Sequence, residues 1–324
     1  MVPKTAFEAA SAKLSAVSLG YYSDPYISHF VTTDKPRRHD PIIHRGYYIR
    51  VSALRQTISE FLQQFPSSPV QIINFGCGMD SIALHFLLSS PQLHDNVTFI
   101  EIDLPDIVRK KSKIIAKHFS NQLEITSHNS IGVLSPHYKL SVGDITDLSS
   151  IQHVFDSNSV HFHIPTLVVF ECVLVYLNPI DSSKLLSFLQ SCFPTLVSFV
   201  YDPIRPFSPF GKNMVRHAKE MEVDFVAINE YPDLYKQRKR YLDLGFNWSA
   251  ALDLWEVEKL LVSKEEAKRL HQIELLVEIE EYMAISSQYC LVISGQGVGV
   301  MDWISNLPEL TSDCAEDLIG IVRL

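Results

Sequence analysis

No stretch of this chain approaches the ~18 consecutive apolar residues that a membrane-spanning helix requires. The first twenty residues, MVPKTAFEAASAKLSAVSLG, are interrupted by Lys4 and Lys13, so no membrane segment and no secretory leader are expected. Cysteine is scarce. Cys77, Cys172, Cys192, Cys290 and Cys314 form no C-x-x-C pair and no zinc spacing, which suits reduced thiols and a cytoplasmic location. Positive charge is in deficit, with 28 Lys and Arg against 37 Asp and Glu, a net of −9. A broad nucleic-acid surface needs phosphate-neutralising cations, so no such partner is expected. Two local clusters, RKKSK (109–113) and KQRKR (236–240), are expected to be solvated helix faces. His161 and His163 alternate on a loop or strand entry, and no metal site is expected there or elsewhere. Repeats and low-complexity tracts are absent.

What remains is ordinary globular material, 46% hydrophobic and 20% charged over 324 residues. That is enough for one large α/β domain with a sizeable core. Apolar residues at 47, 51, 54, 58, 61, 62 and 65 follow the spacing of an amphipathic helix over 42–65. Arg50 falls at the margin of that apolar stripe, and Arg45 falls on the polar side. Buried strands are then read at VQIINF (70–75), NVTFIEID (96–103), HYKLSVGDI (137–145), TLVVFE (166–171) and LVSFVYD (196–202), with helices between them. Near the end, KEEAKRLHQIELLVEIEEY reads as one charged helix and QYCLVI as a last strand. Strands that are apolar throughout and alternate with helices imply a parallel sheet covered on both faces.

In such sheets ligands bind at the carboxyl ends of the strands. Here the first four strands end in Gly76/Gly78, Asp103, Asp144 and Glu171. Glycines after the first strand let a ligand approach the backbone, and an acid 27 residues after Gly76 is placed to accept ribose hydroxyls. Position 81 is Ser, so the full G-x-G-x-x-G is missing and a dinucleotide such as NADH is disfavoured. G-x-G with acids after strands two and three is the pattern of class I S-adenosylmethionine methyltransferases, with Asp144 toward the adenine. SGQGVGV (294–300) imitates the glycine pattern but leaves too little chain for a βαβ unit, and is expected to be a flexible tail.

LSAVSLGYYSDPYISHFV (14–31), HRGYYIRV (44–51), IINFGCGMDS (72–81), FIEIDLPDIVRKK (99–111), YKLSVGDITDLS (138–149) and PTLVVFECVLVYLNP (165–179) together resemble the leucine carboxyl methyltransferases over about residues 10–293. The resemblance implies a Rossmann-like, seven-stranded, mostly parallel sheet with an N-terminal helical lid (1–66), a cofactor-binding core (70–203) and a substrate-side segment with the last strands (204–293). Residues 294–324 are then an extension of unassigned role. It also implies methylation of the C-terminal leucine carboxylate of the protein phosphatase 2A catalytic subunit, which regulates phosphatase assembly, by a monomer using S-adenosylmethionine. Carried over position by position, Lys13, Arg50, Gly76, Gly78, Asp103, Asp144, Ile145 and Glu171 contact the cofactor. Arg50 also meets the substrate carboxylate, with Tyr201 near the substrate pocket. The stretch 204–230 departs from the family pattern.

The chemistry implied needs no general base, because an α-carboxylate with a pKa of roughly 3.5 is already ionised. Anion and sulfonium charges both vanish in the reaction, so a dry pocket with a guanidinium fork suits it. Each candidate also has a plainer reading: Arg50 as a snorkelling stem, Asp103 and Asp144 as helix caps, Glu171 as a buried ion-pair partner, Lys13 as a solvated lysine, Cys77 as packing. Two rivals stand beside this reading. One is the wybutosine-pathway carboxyl methyltransferase acting on a tRNA base, disfavoured by the acidic balance and by the lack of room for a long further domain. The other is a non-catalytic phosphatase-binding protein.

Overall fold

The computed structural model describes residues 2–31, 38–89 and 96–305. Its strands are β1 (Val70–Phe75), β2 (Val97–Asp103), β3 (Ser127–Asn129), β4 (Gly132–Leu134), β5 (Tyr138–Val142), β6 (Thr166–Glu171), β7 (Leu196–Pro203), β8 (Trp248–Asp253) and β9 (Tyr289–Gln296). They form one sheet in the order β3-β4-β5-β2-β1-β6-β7-β9-β8. The seven strands from β5 to β8 are the expected sheet. β5, β2, β1, β6 and β7 run parallel, and β9 is antiparallel to both neighbours. The hairpin β3–β4 extends it antiparallel beyond β5. All six residues of β1 and all eight of β7 are buried, as expected for strands covered on both faces. The chain leaves β1 toward β2 on one side and reaches β6 on the other. The crevice between them opens at the carboxyl ends of β1, β2 and β6.

The helices are α1 (Val2–Ser18), α2 (Pro41–Gln64), α3 (Ile82–Ser89), α4 (Pro105–Phe119), α5 (Leu148–Ser157), α6 (Pro179–Cys192), α7 (Pro209–Glu220), α8 (Leu234–Asp243), α9 (Leu254–Leu261), α10 (Lys264–Ile273) and α11 (Ile279–Ser286). The stripe of α2 buries Ile49, Leu54, Ile58 and Phe61, each contributing about 1.5–3 kcal/mol by removal from water. α1 packs on α2 and passes over the crevice.

Several expectations are corrected. The charged segment 264–282 is two helices, because Glu274 is drawn inward and fixed between them. It accepts hydrogen bonds from Tyr21 (3.1 Å) and Arg38 (2.8 Å) and lies 2.6 Å from Nδ1 of His44. The basic clusters are not uniformly solvated. Lys111 is buried against Glu101 at 2.7 Å, and Arg238 and Arg240 are buried, with Arg238 donating to the Ser249 carbonyl. Arg45 is not solvated either, since it binds Glu258 through Nε (3.0 Å) and Nη2 (2.7 Å). SGQGVGV is no free tail. Ser294–Gln296 belong to β9, and Met301 and Ile304 are buried against the core. Cys314 and residues 306–324 lie outside the described residues.

Candidate active site

A cavity of about 610 Å³ opens at the carboxyl ends of the central strands. Every predicted site residue contributes to its lining: Lys13, Arg50, Gly76, Gly78, Asp103, Asp144, Ile145, Glu171 and Tyr201. At the floor, the chain leaves β1 through Gly76 (φ +63°) and Gly78 (φ +53°). A Cβ on Gly76 would stand 2.7 Å from Cγ2 of Val173, so glycine is required there both by conformation and by space. The N–H of Gly78 donates to Oδ2 of Asp103 (2.7 Å), and the N–H of Leu104 donates to its Oδ1 (2.7 Å). Leu104, not Asp103, is the cap residue of α4. Burial pushes the Asp103 carboxyl above its ordinary range, against these two donors. Each oxygen keeps a lone pair for a further donor.

Asp144 is exposed and accepts from the N–H (2.9 Å) and hydroxyl (2.7 Å) of Thr146. The cap of α5 is Asp147, so the capping alternative for Asp144 does not hold. Gly143 just before it also admits no side chain, its Cβ position being 2.7 Å from Ile102.

Opposite, two helices, the end of β6 and the loop after β1 bring charges together. Lys13 from α1 donates to both oxygens of Glu171, at 2.8 and 3.1 Å, and also pairs with Asp80. Arg50 from α2 donates through Nε to the same Glu171. Its guanidinium carbon lies 4.6 Å from the ring centroid of Tyr201 and 5.2 Å from that of Tyr47. Tyr201 in turn stacks on Tyr289, centroids 5.4 Å apart and planes 7° from parallel. Burial alone would lower the pKa of Lys13 and of Arg50, but Asp80 and Glu171 raise the first, and Glu171 raises the second well above its usual value. Burial also favours the neutral form of Asp80, yet Lys13 brings its carboxyl down to about 2. Lys13, Arg50 and Asp80 are therefore charged at neutral pH.

The thiols and phenols of the lining are held neutral. Burial pushes the Cys77 thiol well up, the Cys172 thiol to about 11, and the phenols of Tyr47, Tyr176, Tyr201 and Tyr289 above their ordinary value. None is a nucleophile or base at pH 7. Sequence reasoning missed Asp80, Tyr47, Tyr176 and Tyr289. Asp80 had a signal, since a charge directly after the glycine turn needs a partner. Tyr289 had none, because only the antiparallel register of β7 and β9 brings it beside Tyr201.

A sheet of this order, with a glycine turn after β1 and acids after the strands that flank it, defines the S-adenosylmethionine-dependent methyltransferases. A Thermobifida fusca protein solved as a candidate methyltransferase shares the fold, with a TM-score of 0.52 at 11% identity over 80% of this chain and 85% of that one. Residues 4–190, more than half of the chain, match the sequence profile of the family described as leucine carboxyl methyltransferase. An Arabidopsis thaliana protein, "Leucine carboxyl methyltransferase 1 homolog", is 32% identical over 295 residues, covering 90% of this chain and 87% of that protein. The rat "tRNA wybutosine-synthesizing protein 4" is 29% identical over 306 residues, but they cover 91% of this chain and 44% of that protein. The chain belongs to the leucine carboxyl methyltransferase family. It is an S-adenosylmethionine-dependent carboxyl methyltransferase.

Proposed function

We propose that this enzyme esterifies the C-terminal leucine carboxylate of the protein phosphatase 2A catalytic subunit. The observation that carries the carboxylate reading is Arg50. Its Nε is taken by Glu171, its faces are covered by Tyr47 and Tyr201, and no hydrogen bond to its two Nη atoms occurs among the described residues. That leaves the forked edge for a planar anion on the cavity side. The thiols and phenols of the site stay neutral, and a chain-terminal carboxylate, already ionised, needs no base from them.

The lining suits the methyl donor as well. Gly76 and Gly78 admit a nucleoside to the backbone, the free lone pairs of Asp103 accept the ribose hydroxyls, and Asp144 and Ile145 border the adenine. Lys13 and Glu171 are the counter-charges for the methionine carboxylate and ammonium. When bound, S-adenosylmethionine supplies an electrophilic methyl on a sulfonium. Arg50 aims one carboxylate oxygen at it, and the aromatic walls exclude the water that would stabilise the separated ions. No proton moves. The oxygen–carbon bond forms as the carbon–sulfur bond breaks, and its electron pair stays on sulfur.

The test is labelled methyl transfer to phosphatase ending in leucine and to the same protein without that residue. Label confined to the first and released by alkali supports an ester at the terminus, and equal labelling of both overturns it. The tRNA alternative is weaker for a chain of net charge −9. A salt-sensitive gel shift with tRNA would revive it.

A further inference from the structure

Behind α1, away from the cavity, three buried side chains form a relay that the reaction does not use. Oγ of Ser15 on α1 lies 2.8 Å from Nε2 of His44 on α2, and Nδ1 of His44 lies 2.6 Å from Oε2 of Glu274, which ends α10. His44 is 0% exposed and Ser15 is 4% exposed. Ser15 Oγ also accepts from the N–H of His39 at 3.4 Å. Burial works against the charge of Glu274, yet the donors on Arg38, His44 and Tyr21 bring its carboxyl below the ordinary range. An ionised carboxylate only accepts, so Nδ1 of His44 carries a hydrogen and both ring nitrogens are engaged. Serine, histidine and glutamate in this order make up hydrolytic triads. Here Ser15 and His44 are buried and outside the cavity lining, so no substrate reaches them. The relay joins helices instead.

What it joins is the wall of the site. α1 lines the cavity with Ala6, Ala9, Ala10, Ala12 and Lys13. Alanines shape that wall but hold nothing by hydrogen bonds. Ser15 follows Lys13 by two positions, about 200° around the helix, so the two side chains leave on opposite faces. Lys13 reaches forward to Glu171, and Ser15 fastens the helix behind. α10 grips the same helix again just past its last turn, where Arg269 donates through Nη1 to the Gly20 carbonyl and through Nη2 to the Tyr21 carbonyl, each at 2.7 Å. Two separate contacts from α10 thus bear on α1, and that helix carries a charge assigned above to the methionine end of the donor.

We infer that His44 and Glu274 are positioning residues for the methyl donor: through Ser15 they hold α1 against the cavity, so that Lys13 meets Glu171 and the donor between them. This rests on the donor occupying the cavity as proposed above.

The experiment is calorimetric titration with S-adenosylhomocysteine, with hydrogen exchange of the α1 amides in the complex, on wild type, Ser15→Ala, Glu274→Gln, the double variant and Tyr48→Phe. Ser15→Ala cuts α1 from the relay and should weaken binding by about fivefold or more, the lower end of usual coupling between sites, with faster exchange in α1. Glu274→Gln should weaken binding similarly. The double variant should bind no worse than the weaker single variant, because both cut one relay. Tyr48→Phe removes the 2.6 Å bond from α2 to Glu266 of α10 and leaves α1 attached, so it should lower Tm and cost less than fivefold in affinity. A smaller loss in Ser15→Ala overturns the inference and leaves the relay merely structural, whatever Tm does. It is also overturned by a loss without faster α1 exchange, by an equal loss in Tyr48→Phe, or by additive losses in the double variant. If Glu274→Gln does not fold, Ser15→Ala and Tyr48→Phe decide. A wild type that binds no S-adenosylhomocysteine removes the site reading and this inference with it, whereas binding that Ser15→Ala leaves intact removes this inference alone.

Discussion

Replacing Glu171 by Gln keeps the shape of the side chain and deletes the one charge that two cations share. Lys13 would retain Asp80, but Arg50 has no second carboxylate among the described residues. Leaving a buried charge without its partner costs about 3–5 kcal/mol. The lower end applies here, since the cluster borders a cavity and Lys13 stays paired. At ~2.1 cal/mol/K per residue, a chain of 324 residues has an unfolding entropy near 0.7 kcal/mol/K, so about 3 kcal/mol lowers Tm by about 4 °C. Methyl transfer should fall further than stability suggests. Arg50 loses the bond that orients its fork, and a misplacement of about 1 Å can cost roughly 10²-fold in rate. Scanning calorimetry and labelled transfer at saturating donor, on the same preparations, measure both. A Tm within about 1 °C of wild type, with transfer within threefold, would show that the shared carboxylate organises nothing.

Gly76→Ala combines a left-handed backbone with a methyl 2.7 Å from Val173, and should lose about 1–3 kcal/mol of stability together with most S-adenosylhomocysteine binding, by denaturant midpoint and calorimetry. Asp103→Ala removes the proposed ribose acceptor and a partner of the Gly78 N–H, so affinity for S-adenosylhomocysteine should drop about 10–100-fold while the sheet still folds, read by titration and circular dichroism. Asp80, brought down to about 2, stabilises the fold above its unfolded value of 3.8, and that contribution is lost as pH falls from about 4 toward 2. Urea midpoints in that interval should therefore fall more steeply for wild type than for Asp80→Asn, and parallel slopes would refute the pairing with Lys13.

The sheet was legible because β1, β2, β6 and β7 are short, mostly apolar runs, whose lengths and order leave few alternatives. The glycine turn and the acids were legible because strand ends are where such sheets bind ligands. What stayed hidden was set by long-range pairing. WSAALD, the sequence of β8, is short and rich in Ala and Ser, and is a strand because β9 pairs with it. The break before α11 depends on Glu274 meeting His44, 230 positions away in the chain. Local pattern likewise cannot tell an exposed lysine from Lys111, whose burial depends on Glu101 across the sheet–helix interface. Arg50 was read as marginal to its helix stripe, and that ambiguity is physical: its stem packs with the stripe while its head turns into the cavity.

Arg50 carries the central claim, and its replacement tests it most directly. With leucine-ended phosphatase as acceptor and saturating S-adenosylmethionine, Arg50→Ala should reduce methyl transfer by about 10³-fold or more, and Arg50→Lys should not restore it, because an ammonium cannot form the fork. Transfer by Arg50→Ala within a few-fold of wild type would contradict the account.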